Sequence, residues 1–97
     1  MYGTVARLKV KEGGLEQIRQ MEMNRQPEGF IGTLVFQSDF NPKELWLVAV
    51  FKDKAAYFAN ADSPEQDQEF RQLSEFFTAD PDWNDGEVVF VAGSIQG

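Results

Sequence analysis

The sequence predicts an α+β fold: four strands in one antiparallel sheet with helices on a single face, in the order β-α-β-β-α-α-β. Three observations predict it. Short alternating or apolar runs at Thr4–Val10, Phe30–Ser38, Leu45–Phe51 and Val88–Ala92 have strand lengths. Segments between them repeat apolar residues at helical spacing. Only a short turn, Asp39 to Lys43, lies between the second and third runs, which makes them an antiparallel hairpin.

In the first run Thr4, Ala6, Leu8 and Val10 share one face, and Val5, Arg7 and Lys9 the other. Glu12-Gly13-Gly14 breaks it. Leu15, Ile18 and Met21 then mark a helix that reaches about Arg25, with Asn24-Arg25 satisfying its last carbonyls or lining a pocket mouth. Pro27 and Gly29 stop it. In the second strand Phe30, Leu34 and Phe36 are expected on one face and Ile31, Thr33 and Val35 on the other. Gly32 inside that strand signals a bulge or a close approach of other atoms.

The third strand, Leu45 to Phe51, is apolar on both faces: Trp46, Val48 and Val50 point one way, Leu45, Leu47, Ala49 and Phe51 the other. Asp53 caps a helix from Lys54 to about Asn60. Ser63-Pro64-Glu65-Gln66 starts another, with Ser63 accepting from the Gln66 N–H, Gln66 reaching back, and Pro64 in the first turn. Phe70, Leu73 and Phe77 continue it. Asp80 to Gly86 reads as a loop and Val88–Ala92 as the last strand. Residues 1–97 are therefore expected to form one domain, a split-βαβ, ferredoxin-like sheet.

A chain of 97 residues buries roughly 60–65% of its unfolded surface and is marginal alone. Helices cover one face of such a sheet, yet three strands are apolar on both. Hiding roughly 500 Å² per chain would offset on the order of 12 kcal/mol before association costs. A second copy, packed sheet against sheet, is the expected cover.

Composition excludes several chemistries. The chain has no Cys and no His, so thiol catalysis, disulfides, thiolate metal sites and a Ser-His-Asp hydrolase are ruled out. No phosphate loop or dinucleotide fingerprint is present. Net charge is −7; residues 60–97 hold nine acidic side chains and one base, Arg71, which disfavours nucleic acid. The first ten residues, MYGTVARLKV, alternate and do not read as a secretion signal, and no apolar run approaches a membrane span. A cytoplasmic location without membrane contact is the expectation. Asp80-Pro81-Asp82-Trp83-Asn84-Asp85-Gly86 has the opening of a calcium loop. The sixth position is Asp85 where Gly is needed, and the twelfth is Val91 where Glu is needed, so no metal is expected.

Glu28-Gly29-Phe30-Ile31-Gly32, followed by a hairpin ending Val48-Ala49-Val50-Phe51-Lys52-Asp53-Lys54-Ala55-Ala56-Tyr57, resembles the antibiotic biosynthesis monooxygenase family of the dimeric α+β barrel superfamily. The resemblance spans about residues 2–92. It implies a ferredoxin-like homodimer with sheets face to face. It also implies a cofactor-independent monooxygenase acting on small phenolic or quinol-like aromatics. The haem-degrading branch relies on an Asn, a Trp and a His, whose positions fall near Ala6, Asn60 and Phe70; none matches.

An oxygenase of this kind needs an apolar pocket, a group to take a phenolic proton and a polar group to hold the anion. On the helical side Tyr57, Asn60 and Arg71 are the candidate polar set. Trp46, Phe58, Phe76, Phe77 and Trp83 are the candidate walls for a small aromatic ligand. Aromatics at such spacing are more often ordinary core packing, and the polar residues surface groups, with Arg71 pairing with Asp67 or Glu75. The alternative function is a non-catalytic, small-molecule-binding or stress-related module of the same fold.

Overall fold

The computed structural model describes residues 1–21 and 25–93. Its elements are β1 (Tyr2–Lys9), α1 (Gly14–Gln20), β2 (Phe30–Gln37), β3 (Glu44–Phe51), α2 (Lys54–Ala61), α3 (Pro64–Ser74) and β4 (Asp82–Glu87). The strands form one antiparallel sheet in the order β2-β3-β1-β4. This is the expected ferredoxin-like α+β arrangement, with β2 and β4 at the edges.

β1 alternates as its pattern predicts. Ala6, Leu8 and Val10 are buried on the helical face with Leu45 of β3, and Leu15 and Ile18 of α1 pack against them. Gly3 lies on the opposite face, where a Cβ would stand 2.0 Å from the Ala49 carbonyl oxygen. A side chain there would force β1 and β3 apart.

α1 is shorter than its pattern suggests. It ends at Gln20, and Met21 is already extended. Asn24 lies outside the described residues. Arg25 does not close the helix; its guanidinium reaches across to Glu69 and Gln66 on α3.

The bulge expected at Gly32 is present, with the β2–β3 register shifting between Phe30 and Gly32. It corrects one expectation. Phe30 pairs with Phe51, and Thr33 with Ala49, so Phe30 shares the helical face with Thr33 and Val35. Leu34 and Phe36, opposite Val48 and Trp46, stay on the other face. One extra residue on β2 flips the side chains on either side of it.

The hairpin turn is held by Ser38 Oγ, which accepts from the N–H groups of Phe40 and Asn41, and by Asn41 Oδ1, which accepts from Lys43 N–H. Both helix caps form as read. Asp53 accepts from Ala56 N–H at 2.8 Å and Ser63 Oγ from Gln66 N–H at 3.1 Å. The Gln66 side chain does not reach back, because Ser63 N–H is already bonded to Asn60 O. α3 ends at Ser74, and Phe77 forms an isolated bridge with Val10.

The last strand is displaced from its expected place. It is Asp82–Glu87, and Val88–Ala92 is not a strand. The reason is where α3 delivers the chain. Thr78 N–H already bonds Lys9 O, so antiparallel pairing along β1 sets Asp82 opposite Arg7 and Glu87 opposite Tyr2. Val88 N–H bonds Met1 O, and β1 is then exhausted. No helix is long and apolar enough to cross a membrane among the described residues.

Candidate active site

A cavity of about 620 Å³ lies between the helical face of the sheet and helices α2 and α3. Leu47, Ala49, Phe51 and Thr33 contribute its floor from β2 and β3, and Thr4 and Leu8 from β1. Trp83 and Asp85 enter from β4, two residues apart and therefore on one face. Tyr57, Phe58 and Asn60 come from α2, and Gln66, Phe70 and Leu73 from α3. The volume is in the range of small-molecule sites, and most lining groups are apolar.

Aromatic rings make one end. Tyr57 meets Tyr2, Phe51 and Phe58 edge-on at centroid distances of 5.3, 5.6 and 5.0 Å. Phe30 continues the row against Phe51 at 5.4 Å. Across the cavity Phe70 packs on Phe77 and Trp83 at 6.3 and 6.1 Å. The separations suit edge-to-face or tilted stacking.

Two polar groups stand among these rings. The Tyr57 hydroxyl donates to Asp85 Oδ1 at 2.8 Å. Burial and that bond push the Tyr57 pKa up to about 12, while the nearby Thr4 hydroxyl pulls the other way. Tyr57 therefore keeps its proton at neutral pH. Thr4 is 5% exposed, and its Oγ has no partner within hydrogen-bonding geometry.

The second group is a relay at the cavity mouth. Arg25 pairs with Glu69 and donates through Nη2 to Gln66 Oε1 at 3.0 Å. Asn60 Nδ2 donates to the same oxygen at 3.2 Å. A guanidinium only donates, so the Gln66 atom facing it is the oxygen, and the Asn60 atom facing that oxygen is the nitrogen. The remaining Asn60 atom, Oδ1, is buried and has no partner. The relay thus fixes Asn60 as an acceptor.

The structure brings Tyr57, Asn60, Phe58, Phe77 and Trp83 together, but not the rest of the expected set. Arg71 is exposed, pairs with Asp67 at 3.1 Å and does not line the cavity. The cation that does is Arg25. Trp46 lies on the opposite face of the sheet, opposite Arg7 and Phe36, because odd and even positions of β3 diverge. Phe76 is also outside the lining; it sits against Gly14, and its carbonyl accepts from Lys11 N–H.

Sequence reasoning missed Asp85, Gln66 as a cavity residue, and Phe30. Asp85 had no apolar alternation around it to mark a strand. Phe30 was hidden by the bulge, which the Gly32 signal could have revealed. Among the described residues no three Asp or Glu side chains converge as a metal site.

Comparisons agree with this fold. Solved structures of the same fold include a conserved protein from Methanosarcina mazei, 23% identical over 88% of this chain and 89% of its own, TM-score 0.74. A Deinococcus radiodurans protein assigned to the antibiotic biosynthesis monooxygenases is 19% identical over the whole of both chains, TM-score 0.75. SnoaB, a cofactor-independent oxygenase from Streptomyces nogalater, is 14% identical over 96% of this chain and 97% of its own, TM-score 0.77. Among curated proteins none matches. The family model of the antibiotic biosynthesis monooxygenases matches residues 1–72, well over half of the 97. The chain belongs to the antibiotic biosynthesis monooxygenase family.

Proposed function

We propose that this protein is a cofactor-independent monooxygenase acting on a small phenolic or quinol-like aromatic. The observation that carries the reading is the aromatic-walled cavity lined by Asn60, whose amide is held by Gln66. A flat ring fits between the Tyr57–Phe58 and Phe70–Trp83 groups. Loss of the substrate's hydroxyl proton gives an anion that passes an electron to dioxygen. One oxygen atom enters the ring as a carbonyl, and the other leaves as water with two substrate hydrogens. Asn60 is the amide beside the ring, Arg25 supplies the nearby positive charge in place of Arg71, and Tyr57 remains a protonated wall residue.

Oxygen uptake across a panel of hydroquinones and anthrones tests this. Turnover is expected with at least one of them, reduced roughly a hundredfold in Asn60→Ala. Uptake at the uncatalysed rate throughout would sink it. The raised Tyr57 pKa also suits a second reading, a binding module without chemistry, because it removes one candidate base. A bound aromatic that survives exposure to oxygen unchanged would support that reading.

The partner we assign is a second copy, packed on the open sheet face. What supports it is the exposure there of Val5, Leu34, Phe36 and Trp46, the last two at 55% and 37%. Beyond β4, Val89 and Phe90 are 90% and 82% exposed in one chain, a further apolar surface that a partner would cover.

A further inference from the structure

Several donors around the cavity are already engaged. Tyr57 gives its hydrogen to Asp85, Asn60 Nδ2 gives to Gln66, and Arg25 gives to Glu69 and Gln66. The Thr4 hydroxyl has no partner and stands near the Tyr57 oxygen. Acceptor capacity is left over as well. Asn60 Oδ1 has no partner, and Asp85 has one hydrogen bond for a carboxylate that can accept about four.

The three acidic side chains of the lining differ in one respect. Glu69 is paired with Arg25 and Asp67 with Arg71, whereas the Asp85 side chain faces a neutral hydroxyl. Its negative charge is therefore the uncompensated one in the cavity. The charged groups near it do not change that. Glu87 lies two residues along β4 on the same face, and Lys54 of α2 is held over the Tyr2 and Phe58 rings at 5.8 and 6.0 Å.

We infer that Asp85 is a specificity-determining residue of this cavity, accepting the hydrogen of an uncharged hydroxyaromatic ligand and rejecting the same ligand as its anion. The inference rests on the cavity being the ligand site, and it goes beyond the proposed reaction by setting the protonation state in which the ligand enters. A like charge within hydrogen-bonding distance disfavours an anion, and a carboxylate acceptor favours a hydroxyl donor. Tyr57 orients the carboxylate by holding Oδ1, leaving Oδ2 for the ligand. Preformed phenolates, carboxylates and phosphates are disfavoured by the same charge.

The test uses 4-nitrophenol, whose neutral and anionic forms differ in absorbance, titrated with pH in the presence of saturating full-length protein. With wild type the apparent pKa of the bound probe is expected about one unit above that of the free probe, a tenfold preference for the neutral form. Asp85→Asn should abolish the shift, Asp85→Glu should keep it, and Tyr57→Phe should keep most of it because the charge remains. Asp85 is exposed on an edge strand, so Asp85→Asn is expected to fold; an unchanged thermal midpoint confirms that. An equal shift in Asp85→Asn, equal binding of both forms by wild type, or no binding at all would overturn the inference. No turnover is needed for this readout. A shift that depends on Asp85 in a protein that consumes no oxygen would leave the inference standing and remove the oxygenase reading.

Discussion

The Tyr57 hydroxyl and the Asp85 carboxylate, 28 residues apart, meet at 2.8 Å and join helix α2 to edge strand β4 across the cavity. β4 lies exposed at the sheet edge, so this bond is a principal side-chain tie between it and the helical layer. Replacing Tyr57 with Phe removes one hydrogen bond to a charged acceptor. The expected loss is about 1 kcal/mol, toward the low end because the site is partly exposed. Denaturant unfolding with an unchanged slope is the check.

The same pair makes a pH prediction. The Tyr57 pKa is raised from 10.0 to about 12 in the folded chain. Below pH 10 the phenol is protonated in both folded and unfolded states, so its contribution is fully present. Between pH 10 and about 12 the unfolded state alone releases the proton, and stability falls. Wild type should lose stability over that window relative to Tyr57→Phe, measured by paired unfolding curves. Parallel curves would contradict the assigned burial.

Gln66 Oε1 receives both Arg25 and Asn60, so Gln66→Leu strands two donors at once. The predicted cost is about 2 kcal/mol. Gln66→Glu keeps the acceptor and should recover most of it. If the relay orients Asn60, Gln66→Leu also weakens aromatic binding more than Ser63→Ala does. Ser63→Ala removes only the α3 cap and should cost about 1 kcal/mol.

Two glycines admit no side chain. Gly3→Ala puts a Cβ into the Ala49 carbonyl at 2.0 Å within the central β1–β3 pair. A loss of about 3 kcal/mol or outright misfolding is expected. Gly29 has φ +81 and would meet the Ala56 Cβ at 2.7 Å. Gly29→Ala should cost about 2 kcal/mol and disturb the start of α2. Gly32 has open space around it, so Gly32→Ala is the control. Thermal melts of the three variants rank them.

For the sheet-face dimer, light scattering on a sizing column should give twice the 11.0 kDa chain mass, persisting on dilution. Trp46→Lys, which places a charge at the centre of the open face, should give single chains. A single-chain mass for wild type would remove the partner assignment.

The sequence by itself determined the strand and helix order, the hairpin, both caps at Asp53 and Ser63, and the two-faced apolar character of β3. These depend on neighbours within a few residues, where backbone and side-chain preferences act directly. Tertiary structure decided the rest. The last strand moved from Val88–Ala92 to Asp82–Glu87 because hydrogen-bond register along β1, starting where α3 ends, outweighed apolar composition. The bulge turned Phe30 toward the cavity, and the strand pleat turned Trp46 away from it. Asp85 and Arg25 joined the site through partners 28 and 44 residues away. Which charges meet across a sheet depends on how layers stack, and that geometry is set by packing of the whole core rather than by any local stretch of chain.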